Sequence, residues 1–334
     1  MTGRLAAIFG CAGPELTADE RAFFHDADPF GFILFGRNVI DPAQLRRLAG
    51  ALRDAVGRDA PVLIDQEGGR VQRLRAPHWR EWTPPLDMVA QARDPARAMW
   101  LRSRIIAHEL RGVGVDANCA PCADIAGVDT HPFLKNRCYG TDVALVSRIS
   151  AAVASGHLAG GVLPVIKHLP GHGRATADTH HDLPTVTASR EDLSVTDFAP
   201  FKALNHLPMA MTAHIIFAAY DDKPATQSPE MLRVIRDEIG FQGLLMTDDL
   251  NMQALRGTLA DRTAASMAAG CDIALHCKGD MAEMLAVAAA CGDQTPAIRQ
   301  RAQAALAQRH APDPVDIQAL EAELRGVMSG DTHV

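Results

Sequence analysis

Eight short apolar runs, each followed by a segment of helical periodicity, limit what this chain can fold into more than any other feature. The runs cover residues 5–9, 32–35, 62–65, 115–119, 162–166, 209–213, 243–246 and 272–275. Continuous apolar runs of this length, bounded by polar or Gly/Pro-rich sequence, read as strands buried on both faces. Between them, residues 42–56 place Leu45, Leu48, Leu52 and Val56 on one stripe, and residues 95–113 do the same with Met99, Ile106 and Leu110. Further helices are predicted over 143–158, 190–204, 229–239, 253–269 and 281–290. Asp41-Pro42 and Ser228-Pro229 each put a capping side chain before a proline at the first helical position.

Eight strands alternating with helices predict the α/β class and a single (β/α)8 TIM-type barrel. A chain of 334 residues holds one such barrel, which commonly needs about 250 residues plus insertions. The expected organisation is therefore one catalytic domain over residues 1–334, with extra C-terminal helices within 296–328 and a disordered tail at 329–334. A doubly wound open sheet would require a Gly-x-Gly-x-x-Gly between strand and helix. Gly171-His-Gly173 lacks the third glycine and runs into a polar loop.

In such barrels the chemistry sits at the C-terminal ends of the strands. The residues predicted there are Asp65 after the third strand, Asp116, Asn118 and Asp124 around the fourth, and Lys167 and His168 after the fifth. His214 follows the sixth, Asp248 and Asp249 the seventh, and His276 the eighth. The fifth strand delivers the densest loop: residues 167–184 carry His168, His172, His180, His181, Asp178 and Asp182. Gly171 and Gly173 in that loop are expected to permit unusual backbone angles, so that His180 can swing over a ligand. After the third strand, residues 65–73 combine two carboxylates, two glycines and two arginines, which suits either a polyhydroxylated ligand or an internal Glu67–Arg70 ion pair. Asp248 should project into the central pocket. Asp249 should point elsewhere and cap a helix beginning near Asn251.

Charge and cysteine content remove several function classes. A net charge of −7 offers no basic face for nucleic acid, so no nucleic-acid partner is expected. Seven cysteines scattered over a long chain are no disulfide framework and suit a reducing compartment. Cys119 and Cys122 form a lone Cys-x-x-Cys without a second pair and read as small buried residues. The run 5–10 ahead of Cys11 imitates a short lipoprotein signal, but it is below the ~7–15 residues of an apolar signal core and reads better as the first strand. No stretch is long enough to span a bilayer. A cytoplasmic protein without a membrane partner is expected.

Four motifs occur in order: Asp65-Gln-Glu-Gly-Gly-Arg-Val71, Lys167-His-Leu-Pro-Gly-His-Gly173, Asp178-Thr-His180 and Thr247-Asp-Asp-Leu-Asn-Met252. With them the chain resembles the bacterial β-N-acetylglucosaminidases of glycoside hydrolase family 3, from about Leu5 to His276. The resemblance implies a retaining hydrolase that removes terminal N-acetylglucosamine from peptidoglycan-derived muropeptides, including anhydro-muramic acid fragments, during cell-wall recycling in the cytoplasm. It implies Asp248 as nucleophile, His180 backed by Asp178 as acid/base, and Asp65, Arg73, Arg137, Lys167 and His168 as sugar-binding residues. A monomer needing no cofactor and no metal is expected. Leu169 replaces a usual phenylalanine, Cys138-Tyr139 a usual Ser-Phe, and Thr247 a usual serine.

The chemistry is coherent on physical grounds. Retention requires a nucleophile on one face of the anomeric carbon and, on the other, a donor that later acts as base. Histidine, with an ordinary pKa of about 6.5, changes protonation state at working pH, and a neighbouring aspartate stabilises its cation. Two rivals stand beside this reading. One is a metal-dependent barrel hydrolase using His168, His172 and His180; the other is a sugar-binding protein without catalysis.

Overall fold

The computed structural model describes residues 2–175 and 183–328. Its strands, in chain order, are β1 (Leu5–Phe9), β2 (Pro29–Leu34), β3 (Val62–Ile64), β4 (Ala117–Asn118), β5 (Leu163–Leu169), β6 (Thr185–Val186), β7 (Met209–Thr212), β8 (Ile216–Phe217), β9 (Leu244–Met246) and β10 (Ala274–His276). Eight of them pair in parallel in the order β10-β1-β2-β3-β4-β5-β7-β9. Met246 bridges Ile273 in parallel, and Thr247 N–H donates to Ile273 O at 3.0 Å, which closes the ring between β9 and β10. The expected (β/α)8 barrel is what the chain forms. β6 and β8 pair separately in a small parallel sheet.

Every residue of the eight barrel strands is buried. This is why the strands read as apolar runs without alternation. Alternate side chains go opposite ways: Ala6, Ile8, Ile33, Leu63, Leu163, Met209 and Leu244 fill the barrel, whereas Phe9, Phe32, Leu34, Val62 and Ile64 pack under the helices. The helix Pro42–Val56 forms as expected, with the Asp41 carboxylate accepting from Gln44 N at 2.8 Å and Leu45, Leu48 and Leu52 buried.

Three helices differ from expectation. The segment 190–204 breaks into Arg190–Val195 and Ala199–Ala203, because Pro200 lacks the N–H that a continuous helix would need there. The segment 229–239 is α-helical only over Pro229–Arg233 and continues as one π-turn over Val234–Glu238. The helix expected from 253 begins at Leu259, since Gly257 sits at φ +87° and the capping box of Thr258 and Asp261 restarts the chain there. Pro296–Ala307 and Ile317–Met328 follow the barrel. The second is tied to the helix Pro95–Gly112 by Arg97, whose guanidinium donates to both oxygens of Glu323 at 2.6 and 2.8 Å. The tail 329–334 lies outside the described residues.

Buried aspartates brace the N-terminal end of the barrel. Asp116 stands before β4, not at its C-terminal end as expected. It accepts from Val62 N–H at 2.8 Å and Arg53 at 2.9 Å, and also from Arg309. Asp272 accepts from Arg236 at 2.7 Å and Arg301 at 2.8 Å in the same way. Among the described residues, no helix is long and apolar enough to cross a membrane.

Candidate active site

The loop after β3 folds back on itself because its own side chains satisfy its backbone. Gln66 Oε1 accepts from the N–H groups of Arg73 (2.9 Å) and Leu74 (3.0 Å). Gly68, at φ +96°, leaves room for the buried Arg102 guanidinium, which donates to Glu67 O. A Cβ on Gly68 would lie 1.7 Å from Arg102 NH2. This brings Asp65 and Glu67 against two cations from elsewhere in the chain, Lys167 on β5 and Arg137 in the segment after β4.

Lys167 Nζ donates to Asp65 Oδ1 at 2.8 Å and lies 2.6 Å from Glu67 Oε1. Arg137 grips Glu67 with two bonds of 2.8 and 2.9 Å, and Arg73 reaches Asp65 Oδ2 at 3.1 Å. The result is a row of alternating charge: Arg137, Glu67, Lys167, Asp65, Arg73. Burial alone would raise both carboxyls, but the ammonium of Lys167 and the guanidiniums outweigh it. They bring Glu67 down to about 2 and Asp65 well below the usual carboxylate range. Burial pulls the Lys167 ammonium down, yet Asp65 and Glu67 hold it above its ordinary value. The internal ion pair of Glu67 therefore exists, but with Arg137 and Lys167 in place of Arg70. Arg70 stacks its guanidinium over the Phe133 ring at 3.6 Å.

His168 is oriented from behind. Its Nδ1 lies 2.7 Å from Asp124 Oδ2, while Asp124 Oδ1 accepts the N–H of His172 at 2.7 Å. Asp124 is fully buried, and burial pushes its carboxyl up. The His168 imidazole and the hydrogen bonds it receives reverse this and hold the carboxyl well below the usual range. An ionised Asp124 accepts a proton-bearing Nδ1, so the His168 Nε2 is the atom left toward Arg137, 3.4 Å away. His172 is buried, and that burial pulls its imidazole down to about 4.

Asp248 follows β9 and is half-buried. Burial pushes its carboxyl up; His214, His168 and the Asp249 N–H, at 2.8 Å from Oδ1, outweigh it and keep the group ionised. His214 has both ring nitrogens engaged, with Thr226 Oγ1 at 2.8 Å and Asp249 O at 3.1 Å, so it serves as a satisfied buried polar group. His276 ends β10 instead of following it, and is fully buried. Asp249 does not cap a helix: it accepts from Asn251 N–H and Cys277 N–H, both at 3.2 Å. Burial and the neighbouring Asp248 push its carboxyl up to about 6.

Asp65, Arg73, Arg137, Lys167, His168 and Asp248 all line one pocket of about 700 Å³ at the C-terminal mouth of the barrel. Apolar surface from Ile33, Phe35 and Met211 completes it. An ionised carboxylate standing beside fixed cations, hydrogen-bonding carboxylates and an imidazole suits attack on a neutral polyhydroxylated ligand. Asp178 and His180 lie outside the described residues, as do all of residues 176–182 of the loop predicted to move.

At the entry to that loop Gly171 takes the expected unusual backbone angle, at φ +145°, but Gly173 does not. A Cβ on Gly173 would lie 1.8 Å from Ile125 O, and Thr130 Oγ1 donates to Gly173 O. Arg174 holds Asp197 at 2.7 Å, and His131 N–H donates to Ala175 O at 3.1 Å. Gly173 therefore allows close packing of a clamped stem. Two contributors were not predicted for the site. Asp124 was named only as a strand-end residue, because its partner stands 44 positions away. Asp249 was assigned to a helix that starts later.

Cys122, Asp124 and His168 present ligand atoms within 4.8 Å of one another. Cys119 and Cys122 are both buried, as expected.

Residues 10–307 match the family model described as the glycosyl hydrolase family 3 N terminal domain. The chain is 34% identical over 286 residues to a beta-hexosaminidase of Stenotrophomonas maltophilia, covering 83% of this chain and 84% of that protein. Native NagZ from Neisseria gonorrhoeae superposes with a TM-score of 0.83 at 27% identity, covering 98% of this chain and 96% of that one. A glycoside hydrolase family 3 beta-N-acetylglucosaminidase from Paenibacillus has a TM-score of 0.81 at 28% identity; the chain spans 63% of its length.

Proposed function

As the chain belongs to glycosyl hydrolase family 3, we propose that it is a retaining β-N-acetylglucosaminidase that removes terminal non-reducing N-acetylglucosamine. The observation that carries this reading is the single pocket holding an ionised Asp248 beside Asp65, Arg73, Arg137, Lys167 and His168. Asp248 attacks the anomeric carbon and forms a glycosyl ester while the leaving oxygen takes a proton from His180, backed by Asp178. His180 then draws a proton from water, which hydrolyses the ester and restores both groups. The row from Arg137 to Arg73 holds the sugar hydroxyls and the acetamido group, its cations donating and Asp65 accepting, while Glu67 holds Arg137 and Lys167 in place.

The substrates we assign are muropeptides, including anhydro-muramic acid fragments, turned over in the cytoplasm during cell-wall recycling by a monomer whose barrel and C-terminal helices form one catalytic unit. The resemblance in the four motifs supports this finer assignment. A chromogenic N-acetyl-β-glucosaminide assayed beside the matching glucoside tests it. Much faster cleavage of the first is expected, and equal kcat/KM on both would reject recognition of the acetamido group.

Metal-dependent hydrolysis has one observation in its favour, the proximity of Cys122, Asp124 and His168. In that group His168 and Asp124 already satisfy each other at 2.7 Å. Retained turnover in excess chelator is expected; its abolition would favour the metal reading.

A further inference from the structure

Resting on the reading that this pocket holds the terminal sugar, we propose that Asp249 is a second substrate-binding carboxyl group, one that exchanges a hydrogen bond with a hydroxyl of that sugar. Its place in the chain argues against such a role, because neighbouring residues of an extended segment face opposite ways. The chain leaves β9 as a tight turn instead. Asp248 Oδ1 accepts the Asp249 N–H at 2.8 Å, and Met252 N–H donates to Asp249 O at 3.1 Å. After this turn both residues line the same pocket, as do Met252 and Cys277.

The contrast with Asp65 defines what Asp249 is free to do. Asp65 has a lysine and an arginine on its two oxygens. Among the described residues, Asp249 has no such cation; its hydrogen bonds are two backbone N–H contacts of 3.2 Å and a weak thiol contact from Cys277. A carboxyl group offers about four acceptor positions, and a donor as well when protonated. The backbone bonds fix its direction without filling it, and the half-buried side chain lines the pocket. Ile33, Phe35, Met211 and Leu275 add apolar lining, so a hydroxyl near them finds its polar partner in Asp249. The charged or titratable groups around it are Asp248, His214, Cys277 and, farther out, Lys278. With its carboxyl pushed up to about 6, Asp249 is largely ionised at neutral pH and accepts from a sugar hydroxyl, whereas at more acidic pH the protonated group donates instead.

The experiment is steady-state kinetics on an aryl N-acetyl-β-glucosaminide with Asp249→Asn, which keeps the shape and the acceptor oxygen for both backbone N–H groups. KM is expected to rise about tenfold or more while kcat falls no more than about threefold. N-acetylglucosamine affinity, measured by calorimetry across about pH 5 to 7.5, is expected to change with pH in the wild type and to flatten in the variant. A KM within about twofold of wild type and an unchanged pH dependence would overturn the proposal and leave Asp249 a turn-forming residue. A kcat loss above about 10³-fold at constant KM would overturn it too, by placing Asp249 in the chemistry. If the variant does not fold, the wild-type calorimetry decides, a flat affinity counting against the proposal. Failure of the parent reading looks different: the wild type itself would not turn over the aryl substrate.

Discussion

The two ends of the barrel use the same ingredients to opposite ends. At the N-terminal end, Asp116 and Asp272 are buried among Arg53, Arg309, Arg236 and Arg301, and each carboxylate is saturated by arginines and a backbone N–H. At the C-terminal mouth, Asp65 and Glu67 are shared among Lys167, Arg137 and Arg73 in equally short contacts. The first set closes the fold on itself. In the second set Asp65, Lys167, Arg137 and Arg73 line a cavity, with Glu67 buried behind them, so these fixed charges become a template for a ligand. Ion pairing as such therefore says nothing about function; what decides is whether the pair has an unfilled side facing an enclosed space.

The largest break between the two ends should come from Asp248→Asn. Turnover is expected to fall at least about 10³-fold with melting temperature retained, since the substitution removes only the nucleophile proposed above. A 2-fluoro glycosyl trap mapped by peptide mass should label Asp248, and a label on Asp249 would reverse the roles. Next in size, His180→Ala should slow substrates with poor leaving groups by about 10²–10⁴-fold and spare activated aryl leaving groups in glycosylation. Equal losses on both would show that His180 is not the donor.

At the other end, Asp116→Asn should cost about 1.5–3 kcal/mol of stability, because the half-buried Arg53 and Arg309 lose their charge-assisted hydrogen bonds. The kcat/KM of the folded fraction should stay within about twofold of wild type, and a selective loss of turnover would break the division drawn here. The smallest effect concerns acid. Glu67 has its folded pKa depressed from 4.5 to about 2. Its contribution to stability is thus full above the unfolded value and lost as pH falls through that window. Denaturant titrations should show a shallower loss from pH 4.5 toward 2 for Glu67→Gln than for wild type; parallel curves would contradict the assignment.

The comparison also explains what could be read in advance. All eight barrel strands were legible because parallel strands covered on both faces must be apolar throughout, and Asp65, Lys167 and Asp248 were legible because they end such runs. Asp116 was placed at the wrong end, since a polar residue beside a two-residue strand marks an edge without telling which one. Asp124 and Glu67 gave no sequence signal of their partners, which come from distant parts of the chain. Asp249 was misread because residue alternation was extended past the strand into a turn, and Gly257 was the missed sign that the helix starts later.

The row from Arg137 to Arg73, taken with Asp248, sets three cations against three carboxylates. Among these six groups no surplus charge is left for mobile ions to neutralise. An uncharged sugar displaces water there, not counterions, and its capture should owe nothing to long-range attraction. Raising sodium chloride from about 0.05 to 1 M shortens the Debye length severalfold. The KM for a neutral aryl glycoside should stay nearly constant over that range, leaving any salt dependence seen with larger, charged substrates to the parts of them that lie outside the pocket.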